Sequence, residues 1–129
     1  MIDKTDDVED FNDSLIKCER INKILPIIGD NIKQLQALDK RYATDIDLRT
    51  AGWVLSMLVK LNVDEVPSGL PGYVNDYRDK LENALTHLGN FFSRLNDVQG
   101  LNEKQAVKLA QLASSISSTQ ELILYTISE

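Results

Sequence analysis

From Val74 to Val98 the apolar residues keep to one side of a helix. Val74, Tyr77, Leu81, Ala84, Leu85, Leu88, Phe91, Phe92, Leu95 and Val98 fall within about 140° of arc at 100° per residue. Asp76, Asp79, Asn83, Thr86, Asn90 and Asp97 take the opposite side. A stripe of period 3.6 held over about seven turns has to be buried against something, and a sheet cannot use it. Sustained period-two alternation is absent from the rest of the chain. The expected fold class is therefore all-α, an antiparallel bundle of four or five helices joined by short connections.

Other segments repeat the pattern with more interruption. Phe11, Leu15, Cys18 and Leu25 form a first stripe, and Ile28, Ile32, Leu35 and Leu38 a second. Pro26 lies between them and is expected to stop or kink the helix, because it lacks an N–H and crowds the preceding turn. Tyr42, Ile46, Trp53, Met57 and Leu61 suggest the core face of the next element, with Thr44 and Asp47 as a capping box. Residues 28–62 read equally well as one helix or two, since neither glycine nor proline interrupts residues 30–51. Gly100 is expected to end the helix of residues 74–98 as its C′ residue. Asn102 with Gln105 forms a capping box for a last helix, with Leu101 and Ala106 as a hydrophobic staple. In that helix Leu109, Leu112, Ile116, Thr119, Ile123 and Ile127 make a large ridge. Ala106, Ala110, Ala113 and Ser117 make a small one, along which a neighbouring helix could approach closely.

The totals bound the organisation. The 129 residues are read as one domain, residues 1–129, with residues 1–10 as an acidic arm. Apolar residues at 43% and charged ones at 26% are ordinary globular values. The net charge is -6, but residues 1–13 hold six acids against Lys4 alone, a net of -5, so the other 116 residues carry only -1. A body so near neutrality is a poor binder of nucleic acid on its own, because that affinity comes from clustered Lys and Arg. Residues 14–41 are locally basic, which leaves room for an RNA contact within a larger assembly. One cysteine, Cys18, permits no internal disulfide and fits a reducing, cytoplasmic setting. The acidic N-terminus lacks the apolar stretch of a secretory signal. The longest apolar run, residues 53–61, falls short of the ~20 residues of a membrane span.

Catalytic chemistry finds little footing. The segment VPSGLPGYVNDY, residues 66–77, has two glycines ahead of a helix, as a phosphate loop does. No lysine or strand accompanies it, and Pro71 removes a donor, so it reads as a joint between helices. One histidine and one cysteine make no zinc set, and no cofactor or metal is expected. Asp76, Asp79, Glu82 and Asn83 cluster, yet Arg78 and Lys80 lie among them, as on a solvated helix face. His87 sits at the edge of an apolar stripe, where a boundary packing role is expected. Arg78 stands nine residues before it, and nine steps of 100° place the two on opposite faces, so they form no Arg–His site within one chain.

What remains is surplus apolar surface. Leu122, Ile123, Leu124 and Tyr125 point in four directions on the final turns, and Leu55 and Val59 fall outside the Trp53–Met57–Leu61 stripe. A central position in the bundle is expected for residues 53–61. For the final turns the competing outcome is burial by another chain. The sequence thus points to a small regulatory or adaptor bundle, non-catalytic, that binds another protein; its final turns are covered either by a homodimer through the C-terminal helix or by the helix of residues 74–98 within one chain. The partner interface is placed on Leu122, Leu124 and Tyr125 and on the acids Asp6, Asp7, Glu9 and Asp10. Two other functions fit the same composition. One is a bacterial or phage inhibitor of a defence system, whose acidic arm imitates phosphates; the other is a structural subunit of a larger assembly.

Overall fold

A computed structural model describes residues 4–60, 71–95 and 100–128, with side chains for residues 16–60, 76–95 and 100–127. Among the described residues the chain is all-α. Four long helices, α1 (Lys4–Leu38), α3 (Ile46–Lys60), α4 (Pro71–Arg94) and α5 (Glu103–Ser128), are joined by the single turn α2 (Lys40–Ala43) and by connections. Lys17 Nζ donates to the Ile127 carbonyl at one end of α1, and Gln105 Nε2 donates to the Leu38 carbonyl at the other, so α1 and α5 run antiparallel. His87 and Arg94, late in α4, meet Asp47 at the start of α3, so α3 and α4 are antiparallel too. The bundle is up-down-up-down, with α1 touching all the other helices and α4 and α5 held apart by it.

α1 owes its continuity to its buried line. Cys18, Ile21, Leu25, Ile28, Ile32 and Leu35 are all buried, at alternating spacings of three and four. Pro26 does not end the helix, contrary to the sequence expectation; α1 runs through it to Leu38. Its ring lies on the exposed side, while Leu25 and Ile28 around it are fully buried. An interior proline costs about 3 kcal/mol. Each large side chain buried on both sides of it returns about 1.5–3 kcal/mol, so the packed line wins.

The chain between α1 and α3 is broken by carboxylates instead. Asp39, with extended backbone, accepts from the Arg41 N–H at 2.8 Å and caps α2. Asp45 accepts from the N–H groups of Asp47 (2.9 Å) and Leu48 (3.1 Å) and caps α3. Side chains that satisfy backbone donors locally compete with helix propagation, and here three helices replace the one or two expected. The capping box read at Thr44 and Asp47 is displaced by one residue: Thr44 closes α2, and Asp45 opens α3.

The core of α3 also differs from expectation. Leu48, Ala51, Val54, Leu55 and Leu58 are buried, while Ile46, Trp53 and Val59 are exposed and Met57 is half-buried. Leu55 thus belongs to the core and Trp53 does not. Leu61 lies outside the described residues, as do the residues 66–70 of the presumed joint; α4 begins at Pro71. That is a favoured first position, since proline has no N–H to satisfy there.

α4 and α5 follow the sequence closely. Tyr77, Leu81, Ala84, Leu88 and Phe91 are buried, with Leu85, Phe92 and Leu95 half-buried beside them. Val74 and Val98 lie outside the residues whose side chains are described. α4 ends at Arg94, and Gly100, with φ +88°, stands ahead of α5 rather than directly after α4. The Asn102–Gln105 box forms in both directions: Gln105 N–H donates to Asn102 Oδ1 at 2.8 Å and Asn102 N–H to Gln105 Oε1 at 2.9 Å. Leu109, Leu112, Ile116, Thr119 and Ile123 are buried, and Ile127 packs against the core. Of the small ridge, Ala106 and Ala113 are half-buried and Ala110 and Ser117 are exposed.

Candidate protein-interaction site

The residues proposed from the sequence divide. Leu122, Leu124 and Tyr125 are 48%, 57% and 66% exposed on the last turns of α5, while Ile123 among them is fully buried. Asp6, Asp7, Glu9 and Asp10 lie on the first turns of α1, whose backbone is helical from Lys4; their side chains lie outside the described ones. The structure does not bring these two groups together in any described contact. The exposed face of α5 has a second property. No charged residue occurs between Lys108 and Glu121, so the solvent side there consists of Ala110, Gln111, Ser114, Ser117 and Ser118.

A larger concave surface lies between α1 and α3. The groove, of about 1000 Å³, runs from Ile46 past Trp53 to Val59 and Lys60 on one wall, with Pro26 and Lys33 on the other. Trp53 is 66% exposed and Ile46 is 76% exposed. Ile46, Trp53 and Lys60 are seven residues apart, which aligns them along one line of α3. Gly52 and Ile32 meet at the floor, where a Cβ placed on Gly52 would stand 3.4 Å from Ile32 Cγ2. The absent side chain lets α3 lie against α1 here, and Trp53, the next residue, is left at the lip. The sequence held a signal for this. Leu48, Ala51, Leu55 and Leu58 form a competing stripe at spacings of three, four and three, and if it is the core line Trp53 must lie outside.

A polar cluster closes the other side of α3. His87 Nδ1 lies 2.8 Å from Asp47 Oδ1, and Arg94 Nη2 lies 2.6 Å from Asp47 Oδ2 and 3.0 Å from Asp45 Oδ2. Asp47 is a carboxylate acceptor here, so the histidine's Nδ1 carries the proton. The hydrogen bond from His87 is the main cause holding the Asp47 carboxyl below its usual range, with Arg94 adding to it. Arg94 in turn is raised, chiefly by its hydrogen bond to Asp45. The geometry fastens the start of α3 to the end of α4. Among the described residues no serine, threonine or cysteine side chain is hydrogen-bonded to His87, so no nucleophile completes a triad. His87 is thus half-buried at the boundary and is paired there with Asp47. Arg94, two turns beyond it and on the same face, was the legible partner.

The remaining chemistry is dispersed. Among the described residues no group of three or more His, Cys, Asp or Glu side chains is placed to hold a metal ion. Asp76 accepts from Lys80 at 2.8 Å, and Asp79, Glu82 and Asn83 are exposed along α4. Cys18 is buried, and burial pushes its thiol up against the opposing charge of Arg78. No described helix is long and apolar enough to cross a membrane. Compared with known proteins, the chain matches no protein family, no curated protein and no solved structure.

Proposed function

We propose that the chain is a non-catalytic interaction module, a small regulatory or adaptor bundle that acts by docking on another protein. The observation that carries this reading is the α1/α3 groove with Trp53 and Ile46 on its lip. Exposing a tryptophan and an isoleucine on one line of a helix leaves apolar area in water that a fold of this size has every reason to bury. Trp is also one of the residues enriched among those that dominate binding energy at protein interfaces. The uncharged face of α5, with Leu122, Leu124 and Tyr125, supports a second contact, a homodimer through the C-terminal helix. The unpaired Cys18 favours a reducing compartment, and we place the protein in the cytoplasm.

Affinity capture from the native host tests the reading. A partner retained by the wild-type chain is expected to be lost with Trp53→Glu, a substitution at an exposed position that leaves the helical spectrum unchanged. The same partner is expected to remain with His87→Ala. Retention by Trp53→Glu together with loss by His87→Ala overturns it in favour of the polar cluster as the working site.

A further inference from the structure

We propose that the groove between α1 and α3 receives an acidic amphipathic helix from another protein, laid along α3 with its apolar stripe against Trp53. The proposal rests on the reading of the groove as a docking surface and adds the chemistry of what docks.

Shape supplies the first argument. α3 contributes the wall from Ile46 to Lys60, 15 residues or about 22 Å, the length of about four helical turns. A trough between two packed helices fits a third helix, which enters with apolar anchors on one face. A flat lipid surface reaches the lip at Ile46 and Trp53 but not the floor beneath.

Charge supplies the second. Lys33 on α1 and Arg49 and Lys60 on α3 stand along the groove, with Asp30 as the one acid among its lining residues. Asp30 already accepts from Gln34 Nε2 at 2.8 Å. None of the three cations makes an ion pair among the described residues. Three cations outside the groove are paired, Arg41 with Asp39, Lys80 with Asp76, and Arg94 with Asp45 and Asp47. Unpaired cations flanking an apolar trough complement a helix with acids on both sides of an apolar stripe. Three cations on a chain of net charge -6 are too few for a nucleic-acid backbone, which takes about six to ten phosphate contacts to bind well.

The chain's own acidic segment is a poorer occupant. Phe11 and Leu15 continue the register of Cys18 and Leu25, the line of α1 that the core buries, so that segment has no second apolar stripe to offer a copy of the protein.

Trp53 is the single tryptophan, so its fluorescence reports on the groove directly. The probes are two stapled peptides of about 18 residues with the same leucine stripe, one carrying glutamate beside the stripe and the other lysine. The acidic peptide is expected to shift Trp53 emission to the blue and to bind at least about tenfold tighter than the basic one. In the triple variant Lys33→Glu, Arg49→Glu, Lys60→Glu, at exposed positions, the preference is expected to reverse while circular dichroism stays the same. Equal binding of both peptides, unaffected by the triple variant, overturns the acidic occupant and leaves the docking reading intact. No Trp53 response to either peptide overturns both. A blue shift on concentrating the protein alone assigns the groove to a second copy, and one with anionic vesicles but not peptide assigns it to a membrane surface. Either result overturns the proposal.

Discussion

Tyr42 is buried and its ring meets Phe91 edge-on, with centroids 5.4 Å apart. Its hydroxyl is also buried and has no hydrogen-bond partner among the described residues. Burial holds its phenol above the usual range, since the charged form has no solvent there. A buried unpartnered hydroxyl costs about 1–3 kcal/mol, and removing it keeps the ring packing. Tyr42→Phe is therefore expected to leave stability unchanged or raise it by about 1 kcal/mol in urea unfolding. A loss of stability instead means that the hydroxyl has a partner. Asp47 gives a prediction in pH. Its carboxyl is held below the usual value by His87 and then Arg94, so the folded state binds its proton less readily than the unfolded state does. That stabilisation is complete above the unfolded carboxylate value, about 3.9, and fades as pH falls through the lower folded value. Thermal melts of the wild type are expected to drop more steeply below about pH 4 than those of Asp47→Asn. Parallel pH profiles are the contrary result.

The helices show how packing selects among local possibilities. α3 carried two overlapping stripes, and the one with Ala51 beside Gly52 won because it lets α3 approach Ile32 of α1 closely. A tryptophan in that position needs a gap that two helices in close contact do not leave. The same register turns Asp47 toward His87 and Arg94. α1 shows the same priority, since its buried line overrides Pro26. α4 offers a test of intrinsic propensity free of packing. Gly89 is exposed within that helix, five residues before its end, and a Cβ there would meet nothing within 4 Å. Gly89→Ala is expected to stabilise the protein by about 0.5–1 kcal/mol, read from the denaturant midpoint at unchanged slope. A destabilised variant means that another surface occupies the space beside Gly89. Polar side chains in α5 are absorbed by pairing. Asn31 is buried and its Nδ2 donates to Ser115 Oγ at 2.8 Å, while Thr119 and Thr126 return their hydroxyls to carbonyls one turn back.

At the scale of the molecule, α5 is packed against α1 on one side, and Leu122, Leu124 and Tyr125 are exposed on its last turns. Its outer face joins an uncharged stretch to Leu122, Leu124 and Tyr125. A two-fold contact sets the same patch against itself, and a stable one needs about 800 Å² from each partner. Small residues at Ala110, Ser114 and Ser117 permit close approach of a second α5, with the large side chains packing beyond them. Leu122→Glu combined with Leu124→Glu is expected to convert a dimer into a folded monomer in sedimentation. A wild-type protein that sediments as a monomer at all concentrations removes the interface.

The sequence by itself determined the helical class, the α4 and α5 core lines and the Asn102–Gln105 cap. Each of these rests on residues close along one helix, where a 3.6-residue period or a three-residue spacing is decisive. Only the tertiary structure decided that α1 passes through Pro26, that Trp53 is outside and Leu55 inside, and that Asp47, His87 and Arg94 meet. Those outcomes compare alternatives nearly equal along the chain, and they are settled by contacts between helices. An apolar residue becomes lip or core according to what lies opposite, and what lies opposite Gly52 is Ile32, twenty positions away.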